Sequence, residues 1–504
     1  MTRSWSIIGV FMAGSFTAPC QSTFIVEFDS VQNGFGGTGR SIFETEEGFL
    51  LFTDTRSDDG LLEGRCGTYL LDTQGEFMSR QIYENGQSYG CAFGFFDPVA
   101  PLDTGGFIGA FSRFHADPWL REIALGWFNE VGERVDSLTV LSYPVEDSVW
   151  LGSRQVRQTT DHGFIIGGFR DPRDTLAKAL LLKTDSAGSV EWMRTYGSDN
   201  DIHEVLGVAE YVNHGFVAVG QHTSPSNASF LLRTDSLGNQ LWRRQFGGDA
   251  DVAGAVRVAA DSNIITWSEY REQDWEDYFQ QLMLTKWNAN GDIIWQKRSH
   301  YQVSAVGGDF EVLPDGSLIA SGRQGAFGAL MKFTAEGDSL WTRYLEVFEF
   351  DNGADHGVYD VEPTSDGGFV LTGYAFQGWL DPHPNAQTIW VIKTDSLGCV
   401  VPGCQNVGVQ EYVLDLQSLL RVSPNPASDL VNIAMDLPEG GEVQGQAQVQ
   451  LLDAGGRLVL ERGVQQNLNQ LRATLDVSAL PAGTYYLHLR DARRWLAGSK
   501  LVVE

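Results

Sequence analysis

Basic residues are scarce in this chain: 35 lysines and arginines stand against 65 aspartates and glutamates, a formal net charge of −30 over 504 residues. Nucleic acid and anionic membrane surfaces are recognised by clustered Lys and Arg, so this balance excludes both as principal partners. Cysteines number five and show no zinc-ligand spacing, which excludes a dense disulfide scaffold and a structural zinc site. Methionines number seven, and apolar residues almost nowhere recur at helical spacing, which excludes a helical bundle. No apolar run approaches the roughly 18 residues of a membrane-spanning helix. No HExxH occurs, and nothing singles out one Ser or Cys as a nucleophile.

What is plentiful is glycine, at 57 residues, within a chain that is 42% hydrophobic and long enough for more than one core. The first twenty residues have the form of an export signal. Arg3 precedes a short apolar core, Ile7 to Ala13, and Ala18-Pro19-Cys20 offers small residues at the cleavage spacing. Cys20 would be acylated in a lipoprotein, but Thr17-Ala18-Pro19 is a poor lipobox. Four cysteines remain beyond that segment, an even count that suggests two disulfides in an exported chain. Cys399 and Cys404 bracket a Val-Val-Pro-Gly turn and are expected to pair, leaving Cys66 with Cys91.

One unit recurs along residues 21–408. It has a Gly-aromatic start, an apolar run, a loop, a second apolar run, a polar turn and a Trp, as in DHGFIIGG followed by ALLLKTDSAGSVEWMRTYG. Phe49, Phe107, Phe164, Phe216, Ile264, Leu318 and Phe369 align, at a mean period of about 53 residues, within the range of propeller blades. A further run precedes each start, so each unit holds four strands. A lone four-stranded sheet has two faces to cover; seven arranged radially cover them against one another. Trp192, Trp242, Trp295 and Trp341 then read as blade-to-blade packing residues. The seventh copy lacks its Trp-bearing strand, while TFIVEF near the start mirrors LWRRQF, so Phe24 to Phe28 are expected to supply the outer strand of the last blade. The turn spacing fits neither the sialidase Asp-box nor the quinoprotein repeat. The repeats resemble the propellers of exported bacterial proteins that carry "DGG-[FY] … LLK-x-D-x-x-G" units.

Beyond a linker at 409–421, alternating strands and Pro/Gly/Asp turns predict a small Ig-like β-sandwich over 422–504. PNPASD, LLDAGGRLV, LDVSALPAGTYYL and the terminal KLVV follow one another there. In that order they resemble the type A C-terminal sorting domain of the type IX secretion system. The resemblance rests on Pro424, Asn425, Pro426, Asp453, Gly456, Arg457, Leu480, Pro481, Gly483, Tyr485 and Lys500. It implies export by a Gram-negative bacterium through the periplasm, recognition of this domain by the secretion machinery, and delivery to the cell surface or the medium. The expected fold class is therefore all-β, a seven-bladed β-propeller followed by a sandwich sorting domain.

Function is less legible. Long loops on the face around the channel mouth carry aromatic, basic and acidic residues suited to sugar stacking or a protein contact. Arg113, His115 and Trp119 (with Asp117) lie in the second copy, Tyr270 and Trp275 in the fifth, and Trp379 and His383 in the seventh. These are the candidate ligand residues. No cofactor is expected. Asp199 with Asp201 and Asp249 with Asp251 fall short of an EF-hand loop, so calcium is compatible with the chain but not demanded by it. Asp235-Ser236-Leu237 resembles an O-glycosylation site of bacteria using this secretion route. Three roles stay open: a non-catalytic module for adhesion to glycan or protein, a secreted glycan hydrolase or lyase, and a structural surface component.

Overall fold

The computed structural model describes residues 23–28, 37–56, 64–83, 89–94, 97–116, 119–144, 147, 149–172, 176–198, 201–223, 228–247, 252–273, 278–298, 305–348, 354–376, 387–401, 404, 419–437, 446–453, 457–467, 470–490 and 495–504. The expected export signal and most of the linker lie outside them. Two compact units emerge, residues 1–404 and 405–504.

The first unit holds seven antiparallel sheets among the described residues. Blade 1 runs Thr38–Thr45, Gly48–Arg56, Gly64–Leu71, Phe77–Tyr83, and blade 3 runs Val149–Gln158, Phe164–Pro172, Lys178–Thr184, Val190–Tyr196. Blades 4, 5 and 6 repeat the pattern from Ile202, Val252 and Ala305. In blade 2 the innermost strand is broken into Tyr89–Phe93 and Val99–Pro101, which both pair with Phe107–Ala116. Seven apolar clusters each join two successive blades. The last of them packs Ile42, Phe49 and Leu51 of blade 1 on Val370, Ile389 and Val391 of blade 7, so the ring is closed.

Blade 7 consists of Asp355–Pro363, Phe369–Phe376, Gln387–Thr394 and, as its outer strand, Phe24–Phe28. The register runs from Phe24 opposite Lys393 to Phe28 opposite Ile389. The strand expected from its likeness to LWRRQF is therefore the one that completes the ring, and it hides an otherwise open sheet edge.

The blade-to-blade role of the tryptophans takes a specific form. A Cβ added to Gly238, Gly291, Gly337 or Gly398 would meet the indole of Trp192, Trp242, Trp295 or Trp341 at 2.6–2.9 Å. Each indole thus packs directly against the turn glycine of the following blade, and Trp192 and Trp242 also donate to carbonyls of that turn at 3.1 Å. These glycines have φ between 75° and 79°, which only glycine adopts at no cost. Phe24 takes the same place on Gly75, carrying the contact across the closure. Gly291→Ala is expected to lower stability by about 2 kcal/mol, from left-handed strain and displacement of Trp242. A urea midpoint unchanged from the parent would refute the contact's importance.

The recurring Asp and Lys of the repeat are partners within one blade. Lys183 meets Asp161 at 2.9 Å, Lys286 meets Asp261 at 2.8 Å and Lys393 meets Asp366 at 2.9 Å. Each Asp is held below the ordinary carboxylate range against the opposing effect of burial, Asp161 to about 2 by the Thr159 hydroxyl and then Lys183, Asp366 by Thr364 and then Lys393, and Asp261 chiefly by Lys286.

The second unit is a sandwich of two four-stranded sheets. One holds Leu420–Ser423, Leu430–Asp436, Gln470–Asp476 and Gln465–Asn467; the other Leu458–Gly463, Gln448–Leu452, Gly483–Arg490 and Trp495–Val503. Its first strand begins two residues before the sequence-based boundary, because Leu420 and Arg421 already pair with Met435 and Ala434. Val431, Ile433, Val449, Leu451, Leu487 and Leu501 form its core.

Candidate functional site

Of the predicted ligand residues, the structure describes the side chains of Arg113 and Tyr270. Arg113 lies in blade 2, 3.6 Å from Glu122 on the adjacent strand and over the Phe111 ring. Tyr270 lies in blade 5, its ring covered by the Arg298 guanidinium at 3.7 Å. The side chains of His115 and Trp119, and residues Trp275, Trp379 and His383, fall outside the described set, as do Asp199, Asp249 and Asp251. Asp201 accepts from Ser198 at 2.7 Å and faces His203 at 3.8 Å. Cys399 and Cys404 form a disulfide with Cα atoms 5.5 Å apart; Cys66 is also disulfide-bonded, while the Cys91 side chain lies outside the described set. A Gly-x-Ser-x-Gly spacing occurs at Gly86 to Gly90, and its Gly86, Gln87 and Ser88 lie outside the described residues.

The structure instead brings together residues that sequence reasoning passed over. Asp97, in the break of the inner strand of blade 2, and Asp309 and Asp360, on the innermost strands of blades 6 and 7, each bring a carboxylate oxygen within 4.8 Å of the other two. Arg257 of blade 5 donates to Asp309 and Glu311 at 2.5 Å and lies 3.5 Å from Asp97. Arg157 of blade 3 also pairs with Asp97. Blade 1 contributes the Ser41 hydroxyl to Asp97 at 3.3 Å and the Ile42 N–H to Asp360 Oδ2 at 2.7 Å. A residue of blade 2 that reaches blades 1, 3 and 5 at once can only lie at the ring's axis.

Backbone irregularity aims these groups. The innermost strands of blades 1, 3, 4, 5, 6 and 7 each carry a register shift at a corresponding place. A bulge bends the strand and redirects the side chains beside it. In blade 7 the residue after the shift is Asp360, and in blade 3 it is Gln155, which accepts the Val208 N–H of blade 4 at 2.6 Å. Asp360 makes the same link to blade 1, so one repeat position ties each of these blades to the next. Blade 2 breaks its strand at this level, and Asp97 sits there at φ 43°, a conformation Asp tolerates.

Five carboxylates (Asp97, Asp309, Glu311, Asp360 and Glu362) face two guanidinium groups, a formal surplus of three negative charges. Burial pushes the Asp309 carboxyl up to about 7, against the pull of Arg257. Burial, then the neighbouring acids, hold Asp360 and Glu362 well above the carboxylate range. Burial alone would depress Arg257, but Asp309, Glu311 and Asp97 raise it well above its ordinary value. The donors are oxygens only, a set suited to a hard cation.

A signal for these residues existed in the sequence. Counting back nine and seven positions from the aligned apolar residue gives Gln155 and Arg157, Ala255 and Arg257, Asp309 and Glu311, and Asp360 and Glu362. Alternating charge in a strand that must be buried is the anomaly. Asp97 has no such alignment, because its blade breaks the repeat.

In the second unit the Pro-Asn-Pro segment pins the last strand. The Asn425 amide donates to the Lys500 carbonyl at 2.7 Å and accepts the Val502 N–H at 2.9 Å. Ala427 continues the clamp with bonds to Val502 and Glu504. Asp453 and Arg457 close a hairpin through three hydrogen bonds, and the Tyr485 hydroxyl holds the Pro481 carbonyl at 2.8 Å. Residues 421–504 match the family described as the secretion system C-terminal sorting domain. The second unit is a type IX sorting domain. Its presence assigns the chain to type IX export, to the cell surface or the medium. Among the described residues no helix is long and apolar enough to cross a membrane. Asn425→Ala is expected to speed amide exchange in residues 495–504 of the sorting domain about tenfold, through loss of two bonds to that strand. Hydrogen-exchange mass spectrometry checks this, and unchanged protection would mean the strand is held without Asn425.

No curated protein matches the sequence. Solved structures similar to the chain include the β-propeller domain of the Trilobed protease from Pyrococcus furiosus, described as having an open velcro topology, at 10% identity, TM-score 0.40, covering 73% of this chain and 97% of that one. An ulvan lyase, a polysaccharide lyase, aligns at 9% identity and TM-score 0.44 over 74% and 97%. Drosophila Plexin A in complex with Semaphorin 1b aligns at 7% identity and TM-score 0.38 over 72% and 87%. The propeller assignment rests on the seven-sheet topology, not on these likenesses.

Proposed function

We propose that this chain is a non-catalytic binding propeller, exported by its sorting domain to engage glycan or protein outside the cell. One observation supports this reading over a secreted glycan hydrolase or lyase. The axial acids Asp97, Asp309 and Asp360 are only 0–2% exposed, so a polymeric substrate has no route to them. A catalytic acid must come within hydrogen-bond reach of the bond it cleaves. Placed instead at the axis and bonded to blades 1, 3 and 5, those acids serve the ring. Binding then falls to residues away from the axis, with Trp119, which opens the strand Trp119–Phe128, and Trp379 as the candidate anchors.

A glycan-array screen of the full secreted protein, reading retained glycan and released product together, tests the proposal. Retention without turnover, lost in Trp119→Ala or Trp379→Ala, is the expected result. Released product would overturn it in favour of an enzyme.

A further inference from the structure

The axial cluster leaves two oxygens unsatisfied. Asp309 Oδ2 is taken by Arg257 and Asp360 Oδ2 by the Ile42 N–H, but Oδ1 of each is buried and has no hydrogen-bond partner among the described residues. Both residues are 0% exposed, so bulk water does not reach them. A buried acceptor left without a partner costs about 1–3 kcal/mol, and more when it is charged. Two such acceptors beside Asp97, in a cluster whose five carboxyl groups outnumber its two guanidinium groups, suit a positive partner that no described side chain provides.

We propose that Asp97, Asp309 and Asp360 hold a single hard divalent cation, of the calcium class, on the axis of the ring. The triangle of oxygens within 4.8 Å suits one ion: calcium binds oxygen at about 2.4 Å, so ligands on its opposite sides stand about 4.8 Å apart. The absence of sulfur and imidazole from the three donors disfavours zinc and copper. Arg257 and Arg157 do not compete for this role. They occupy Asp309 Oδ2 and Asp97 Oδ2, and Oδ1 of Asp309 and of Asp360 is left without a partner among the described residues. The ion would bridge blades 2, 6 and 7, and through Asp360 and Ile42 would brace the junction where the first and last segments meet. A chain working outside the cell meets calcium at concentrations that fill modest sites, of Kd about 0.1–1 mM.

The test uses the full chain, stripped with EDTA and returned to CaCl2, with calcium uptake measured by equilibrium dialysis and unfolding by thermal melts. Asp360→Asn and Asp309→Asn are compared with the parent, and the exposed Asp338→Asn serves as control. The expected result is saturable uptake of one ion per chain and a melting temperature raised by calcium. Both effects should fall about tenfold or more in the axial variants and persist in Asp338→Asn. In EDTA, Asp360→Asn should be at least as stable as the parent, since it keeps an acceptor for the Ile42 N–H and removes the cost of burying an acid among like acids. That inversion distinguishes a cation site from a merely structural carboxylate. Should Asp309→Asn fail to fold, Asp360→Asn decides alone. Melts identical in EDTA and calcium with no saturable uptake, or uptake undiminished in Asp360→Asn, would overturn the proposal.

Discussion

Phe24→Ala combined with Phe28→Ala is expected to lower the stability of the propeller by about 3–5 kcal/mol, although both residues lie in a five-residue strand at one end of the chain. Phe24 packs edge-on against Phe49 with centroids 5.6 Å apart, and Phe28 lies 5.3 Å from Tyr69. Both partners belong to blade 1, while the strand itself is paired in blade 7. Truncation thus weakens a sheet and a blade junction together. Each ring is only partly buried, so each loss is set near half that of a fully buried Phe. Releasing the strand also uncovers the edge of Gln387–Thr394, whose Ile389, Val391 and Ile392 invite pairing with another chain. Urea unfolding measures the first effect and light scattering the second. A synthetic peptide of residues 22–29 added in trans should restore part of the loss by strand addition. An unchanged urea midpoint in the double variant would mean that the ring does not depend on this closure.

The second large effect concerns Arg257. Arg257→Met is expected to cost about 3–5 kcal/mol at pH 8, the range for removing one partner of a buried ion pair. The methionine fills similar space, so the loss is electrostatic: Asp309 and Glu311 lose their shared guanidinium among like charges. The deficit should shrink at pH 5. In the folded chain Asp309 titrates near 7 rather than 3.8, so between those values the folded state holds a proton that the unfolded state has released. Stability from this group is full below about 4 and is lost as pH rises through 7. Asp360 and Glu362 act in the same direction. His203, depressed to about 4 chiefly by burial and then by Arg243, acts oppositely, as do His222 and His356. Those three are common to both proteins and cancel in the difference. Urea midpoints for parent and variant at pH 5 and pH 8, in EDTA, give that difference; a deficit independent of pH would show that Arg257 acts by packing alone.

The sequence by itself determined the repeat, the seven blades, the closing strand and the sorting domain. All four rest on local patterns: apolar runs broken by Gly and Asp turns, an aromatic at one place in each outer strand, and an ordered series of turn motifs near the C-terminus. Such patterns survive in one dimension because each blade meets only its neighbours, and Phe24 could be matched to Trp242 without knowing where either sits. Only the tertiary structure decided that the repeat lysine pairs with the aspartate of its own blade, that each indole lies on a neighbour's glycine, and that Asp97, Asp309 and Asp360 converge. The last of these joins residues more than 200 positions apart, and Asp97 belongs to the one blade whose inner strand is broken. Convergence at an axis is a property of ring closure. It exists only once seven separately legible units share a centre, and no stretch of the chain carries it alone.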